Sequence, residues 1–124
     1  MSVPVDLAAL RGRVAEFGDH PYLVTVNDDG TPHVTSVTVR LSGDDLVVGT
    51  GRRTRRNLAD RADASLLWPP AADPAYSLIV DVTARLDEGA DEAVLAPRSA
   101  ILHRVAGAAG DGPACVPLDE AAAP

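Results

Sequence analysis

The densest chemical signal in the chain is the run Gly49-Thr50-Gly51-Arg52-Arg53-Thr54-Arg55-Arg56-Asn57-Leu58. Four guanidinium groups fall within five residues, directly after glycines that let a backbone approach a ligand closely. Guanidinium forks grip phosphate oxygens two at a time, and the hydroxyls of Thr50 and Thr54 can add neutral hydrogen bonds. The pattern predicts a strand over 46–50 and a short helix over 54–61, with Thr54 as its N-cap and Leu58 facing inward. A helix start contributes unpaired N–H groups and about half a positive charge. The chemistry served by this combination is the binding of a phosphate or another small anionic ligand. The structural alternative is a solvated helix start whose arginines pair with surface Asp and Glu.

The other reactive residues form no comparable group. His20, His33 and His103 lack a ligand spacing such as His-x-x-x-His, so no metal site is expected. His33, beside a turn, is expected at the surface, and a structural hydrogen bond is the expectation for His103. Cys115 is the sole cysteine; it excludes an intramolecular disulfide and a cysteine metal cage, and it has no assigned role. Asp81 interrupts an apolar run, so it either faces solvent or meets Arg40 or Arg85. Trp68, the sole Trp, reads as a core or interface anchor, with the border of a bound ring as the alternative. No acid–base pair stands out, and no catalytic residue is assigned.

These residues sit in a 124-residue chain, the length of one ordinary domain. Apolar residues at 46% allow a real core, which aliphatic side chains must fill because aromatics reach only 3%. All 11 basic residues are Arg, a bias that together with abundant Ala, Asp, Gly and Pro suggests a GC-rich bacterial genome. The net charge of −7 opposes non-specific attraction to nucleic acid or an anionic membrane. No apolar run approaches the ~20 residues of a membrane helix, and no signal pattern opens the chain, so a cytoplasmic protein is expected.

The elements that must position the cluster follow from periodicity. Leu7, Leu10, Val14 and Phe17 recur at helical spacing over 6–17, with Asp6 as N-cap and Gly18 as the stop. A strand over 22–27, the turn Asp28-Asp29-Gly30, a strand over 32–41, a turn over 42–45 and a strand over 46–50 predict a three-stranded antiparallel meander. In its second strand His33, Thr35, Val37, Val39 and Leu41 share one face. Beyond the Arg cluster come strands over 64–68 and 76–86, the latter central, with a loop over 71–75 between them. A short strand or helical turn is expected over 92–96 and a last strand over 99–105. The fold expected is mainly β: a six-stranded antiparallel split β-barrel with a few short helices, spanning 1–105, and a flexible tail over 106–124.

The segment order resembles the pyridoxamine 5′-phosphate oxidase-like, flavin-binding split β-barrel family. The resemblance covers roughly residues 5 to 105. It rests on the leading helix, Tyr-Leu-Val-Thr-Val, the Asp-Gly turn, Pro-His-Val-Thr-Ser-Val-Thr-Val-Arg, Leu-Val-Val-Gly-Thr, the Arg clamp before Asn57-Leu58, and Ser-Leu-Leu-Trp. It implies a homodimer that binds FMN, or in some branches the deazaflavin coenzyme F-420, in a groove between subunits. Ser36, Val37 and Thr38 would then line the isoalloxazine ring. Thr50, Arg52, Thr54, Arg55, Arg56 and Asn57 would form the phosphate clamp. The family's clamp usually includes a Lys, and this chain has none. The chain also lacks the extended C-terminal segment of true pyridoxamine 5′-phosphate oxidases, so that activity is not expected. The function implied is a small flavin- or deazaflavin-dependent oxidoreductase acting on a small-molecule substrate, without nucleic acid or membrane partners. A non-catalytic ligand-binding or dimerisation barrel is the alternative.

Overall fold

In the computed structural model, which describes residues 2–70 and 76–104, strands dominate and two short helices cover them. The strands are β1 (Ser2–Val5), β2 (Tyr22–Val26), β3 (Pro32–Ser36), β4 (Val39–Ser42), β5 (Asp45–Gly49), β6 (Asp63–Trp68), β7 (Tyr76–Asp87) and β8 (Glu92–Arg104). The helices are α1 (Leu10–Phe17), preceded by a single 3-10 turn over Leu7–Ala9, and α2 (Arg52–Asp60). One antiparallel sheet runs in the order β3-β2-β6-β7-β8-β5-β4, with β1 added beside β8. The mainly-β split barrel expected from the sequence is therefore the fold observed, with eight strands instead of six.

The extra strands have specific causes. The predicted strand over 32–41 is broken at Val37-Thr38, so the expected meander divides into two hairpins. β3 pairs with β2 and β4 pairs with β5, at opposite ends of the sheet path. At the corner, the Val37 amide donates to the Pro21 carbonyl at 3.0 Å and the Val39 amide to the Asp19 carbonyl at 2.8 Å. One ribbon of chain thus supplies both terminal strands and curls the sheet onto itself. The predicted alternation survives the break: His33, Thr35, Val37 and Leu41 are half-buried and Val39 is buried, while Val34, Ser36, Thr38 and Arg40 are exposed.

The two pieces expected at the end of the chain are a single strand, β8. Pro97, which cannot donate to a ladder, is tolerated because the register slips from Asp81↔Ser99 to Val82↔Pro97 and leaves Arg98 as the extra residue of a bulge. One half of β8 pairs with β5 and the other with β1, so β1 exists only because β8 is long enough to hold it. Residues 71–75 and 105–124, including Val105, Cys115 and the predicted tail, lie outside the described residues.

The core lies inside the curl. Leu23, Leu46, Val48, Leu66, Trp68, Leu78, Val80, Val82 and Leu95 are each no more than 1% exposed. Burying such aliphatic side chains contributes roughly 1.5–3 kcal/mol apiece, which compensates for the scarcity of aromatics. The helix expected over 6–17 is a 3-10 turn capped by the Asp6 carboxylate, which accepts from the Ala8 amide at 3.1 Å, followed by α1, which starts only at Leu10 and ends as predicted at Gly18, whose φ of 97° suits glycine. It buries Leu10 and Val14, whereas Leu7 remains exposed. Trp68 is a core anchor: its indole N–H donates to the Gly18 carbonyl at 2.8 Å and ties β6 to the end of α1.

Candidate anion and cofactor site

Helix α2 starts two residues earlier than its sequence suggests. Gly51 is the N-cap and makes no side-chain capping bond, so Thr54 lies within the helix and is buried. Without a capping side chain, the first-turn amides remain suited to an external acceptor. A Cβ built on Gly51 would meet nothing within 4 Å, which leaves the approach to that turn open.

The four arginines divide by helix face. Arg55 turns inward and binds the chain: its guanidinium donates to the Asp87 carbonyl at 2.6 Å, the Ala90 and Glu92 carbonyls at 3.3 Å each, and the Thr50 hydroxyl at 3.4 Å. The Thr50 amide in turn donates to the Asp91 carbonyl at 2.8 Å. Arg55 and Thr50 therefore fasten the β7–β8 turn to the start of α2. Arg52, Arg53 and Arg56 are exposed and line a surface pocket of about 420 Å³, together with Asn27, Asp28, Asp29 and Asn57.

The opposite wall of that pocket is the β2–β3 turn, and a chain of hydrogen bonds fixes it to α2. Buried Asn57 donates through Nδ2 to Thr25 Oγ1 at 3.1 Å and to Asn27 Oδ1 at 3.0 Å. Asn27 Nδ2 donates to Thr31 Oγ1 at 3.1 Å, and the Thr31 hydroxyl donates to Asp29 at 2.6 Å. Gly30, at φ 87°, allows the tight turn. Asp28 pairs with Arg56 at 2.6 Å and with Arg61 at 3.4 Å. The Arg56 guanidinium beside Asp28 holds its carboxyl below the usual value, with Arg61 adding to the effect. The Thr31 hydroxyl and amide lower that of Asp29 in the same direction.

Neither aspartate is among the residues expected at the site, although both stand in the predicted turn over 28–30. The signal available was helical spacing: Thr54 and Leu58 mark the inner face, so Arg52 and Arg56 must share the outer one.

The remaining predicted residues lie elsewhere. Ser36 ends β3, about 13 Å along the strand from Pro32 at a rise of ~3.3 Å per residue, and Val37 and Thr38 form the corner beyond it. They are not part of the pocket lining. Ser36 is exposed opposite Tyr22, Val37 packs partly against the core, and the Thr38 hydroxyl is 3.3 Å from His20 Nδ1. His103 lies 3.3 Å from the Ser2 hydroxyl, and His33 is half-buried opposite Thr25. Asp81 meets hydroxyls instead of Arg40 or Arg85: Ser65 donates at 2.6 Å and Ser99 at 3.3 Å. Arg40 bonds Glu92 at 2.9 Å. Among the described residues no group of His, Cys, Asp and Glu could hold a metal ion, and no helix is long and apolar enough to cross a membrane.

A curled antiparallel sheet with a short helix that follows its second hairpin and packs on β2 and β7 has the split β-barrel fold of pyridoxamine 5′-phosphate oxidase-like proteins. Solved structures share it. A candidate pyridoxamine 5′-phosphate oxidase from Listeria innocua matches with a TM-score of 0.61 at 14% identity, over 78% of this chain and 98% of its own. An FAD-binding protein from Mycobacterium smegmatis matches at 0.57 and 14%, over 84% and 100%. An F-420 reductase matches at 0.51 and 20%, over 65% and 86%. A heme-binding protein from Mycobacterium smegmatis matches at 0.58 and 21%, over 88% of this chain and 57% of its own. No protein-family model matches the chain. By sequence it belongs to one family with the uncharacterized proteins Mb0449c of Mycobacterium bovis and MT0457 of Mycobacterium tuberculosis. Each is 40% identical over 126 aligned residues, spanning 88% of this chain and 85% of the relative.

Proposed function

We propose that this protein binds FMN, with the deazaflavin F-420 as the alternative cofactor, and acts as a small oxidoreductase on a small-molecule substrate. The observation that carries the proposal is the pocket where Arg52, Arg53 and Arg56 converge beside the uncapped start of α2. Three forked cations and free-facing helix amides suit a terminal phosphate better than a carboxylate or a neutral group. β3 then leads from that pocket to Ser36, Val37 and Thr38, where hydroxyls and an apolar side chain could flank a flat ring. In this reading Thr50, Thr54, Arg55 and Asn57 shape the clamp from behind, and Arg52, Arg53 and Arg56 contact the phosphate. The cofactor supplies the redox chemistry, and this chain binds, orients and shields it. Likeness of fold to an FAD-binding protein and an F-420 reductase supports the cofactor class.

A homodimer belongs to the same proposal. Directly paired residues of an antiparallel sheet share a face, and the register aligns Tyr22, Leu67, Ile79 and Ile101 in one outward row. Val34, 57% exposed, and Val24 extend that face. Half-covered aliphatics in a continuous row favour burial against a second copy.

The test is titration of the purified protein with FMN and with F-420, followed by the visible absorption band and by fluorescence. Saturable binding of one of them is expected, and binding of neither at high micromolar concentration would overturn the proposal. Turnover faster than that of free cofactor separates an enzyme from a non-catalytic carrier.

A further inference from the structure

The pocket beside α2 contains an anion of its own. Asp28 lines it and reaches across to Arg56, engaging Nη2 through Oδ2 at 2.6 Å, while its Oδ1 stands 3.4 Å from Arg61 Nη1. Arg56 lines the pocket; Arg61, beyond the end of α2, does not. We infer that Asp28 is a built-in competitor for the ligand's phosphate: an anion that takes Arg56 must first displace this carboxylate, which holds down the affinity of the site. The inference rests on the reading of this pocket as a phosphate site.

The argument is one of exchange. A monoanionic carboxylate entering the pocket would replace one carboxylate on Arg56 with another and gain little. A phosphate monoester carries up to two charges and three terminal oxygens, so it can take Arg56 and still engage Arg52 and Arg53. The displaced Asp28 keeps Arg61 as a partner, so the exchange leaves no carboxylate without a cation. The turn need not move, because Asn57, Asn27, Thr31 and Asp29 hold it independently of the Asp28 side chain. Rotation of one exposed side chain suffices.

Binding of FMN, riboflavin, pyrophosphate and acetate should be measured on the wild-type protein and on the variants Asp28→Asn, Asp28→Glu and Asp29→Asn. Unfolding curves without ligand would confirm that each variant folds. Asp28→Asn is expected to bind FMN and pyrophosphate about 3- to 10-fold tighter, the order that a unit charge a few ångströms away exerts in the high dielectric of a fully solvated site. Its affinity for riboflavin, which lacks the phosphate, should not change. Its binding of acetate should rise by a factor no larger than that of pyrophosphate, because the removed charge repels the more highly charged anion more strongly. Asp28→Glu should stay near wild type, and Asp29→Asn should gain less than Asp28→Asn.

Unchanged or weakened anion binding in Asp28→Asn would overturn the inference, because Asp28 would then be a positioning residue for Arg56. An equal gain in Asp29→Asn would also overturn it, since only the general field would matter. Tighter pyrophosphate without FMN binding in either form would sustain the competitor and remove the flavin reading. If no anion binds any form, the competitor falls together with the phosphate site.

Discussion

The two faces of α2 carry the same residue type into opposite roles. On the inner face Arg55 is half-buried and donates to three backbone carbonyls of the β7–β8 turn, next to buried Thr54, Asn57 and Leu58. On the outer face Arg52, Arg53 and Arg56 stand exposed around a pocket. A guanidinium that binds three carbonyls of one turn cannot leave them for a ligand without unfastening that turn. One that faces water or an exposed aspartate can exchange partners at little cost. A cluster of like residues in sequence is therefore two populations in space, and only one is free to bind.

That contrast can be broken by substitution. The largest effect is expected for Asn57→Ala, which strips partners from buried Thr25 and from Asn27 and should destabilise the protein by about 2–3 kcal/mol. Chemical denaturation measures it, and a loss near zero would mean that the inner face is not structural. Arg55→Ala should follow, costing about 1.5–3 kcal/mol for its charge-assisted bonds, with ligand affinity falling only as far as the fold loosens. Arg52→Ala and Arg56→Ala should do the reverse. Each is expected to leave the unfolding midpoint nearly unchanged while weakening FMN about 10-fold, or ~1.4 kcal/mol. Equal losses of stability and affinity in all of these variants would erase the distinction between the faces.

The smallest effect concerns pH. Arg56 and Arg61 face Asp28 from α2 and the residue after it, Arg53 and Asp29 stand nearby, and the net influence holds the carboxyl below the ordinary range of an aspartate. A group depressed on folding contributes stability above its unfolded pKa and loses it as pH falls through the folded one. An acid titration of the unfolding midpoint, from pH 5 downward, should show a slightly steeper decline for wild type than for Asp28→Asn. Superimposable curves would mean that the exposed pair has no thermodynamic weight.

Local chemistry made several elements legible in the sequence. The Asp6 cap, the Gly18 stop, the Asp28-Asp29-Gly30 turn and the central position of β7 all follow from side-chain oxygens, glycine backbone freedom and apolar runs. What escaped depends on partners. Alternation through residues 33–41 reports which side faces the core and is blind to a change of neighbouring strand, so the break at Val37-Thr38 left no trace. The division into pieces over 92–96 and 99–105 missed a bulge that is made with β7 and carries the strand through Pro97, and β1 is mostly exposed and too short to announce itself. At the site, the run 49–58 contains the three exposed arginines that line the pocket. The assignment of Arg55 and Asn57 to the ligand could not anticipate the carbonyls and amides that the fold brings to them.

The shared ribbon of β3 and β4 has a further consequence. Because one length of polypeptide forms the first and last staves of the same cask, neither hairpin can peel away without tugging on the other through the corner at Val37. Fraying, which in an open sheet starts at either free margin, here has to begin as a concerted loosening of both. Amide protons on β3 and β4 should accordingly exchange with solvent at similar rates, despite lying at opposite ends of the hydrogen-bonded order.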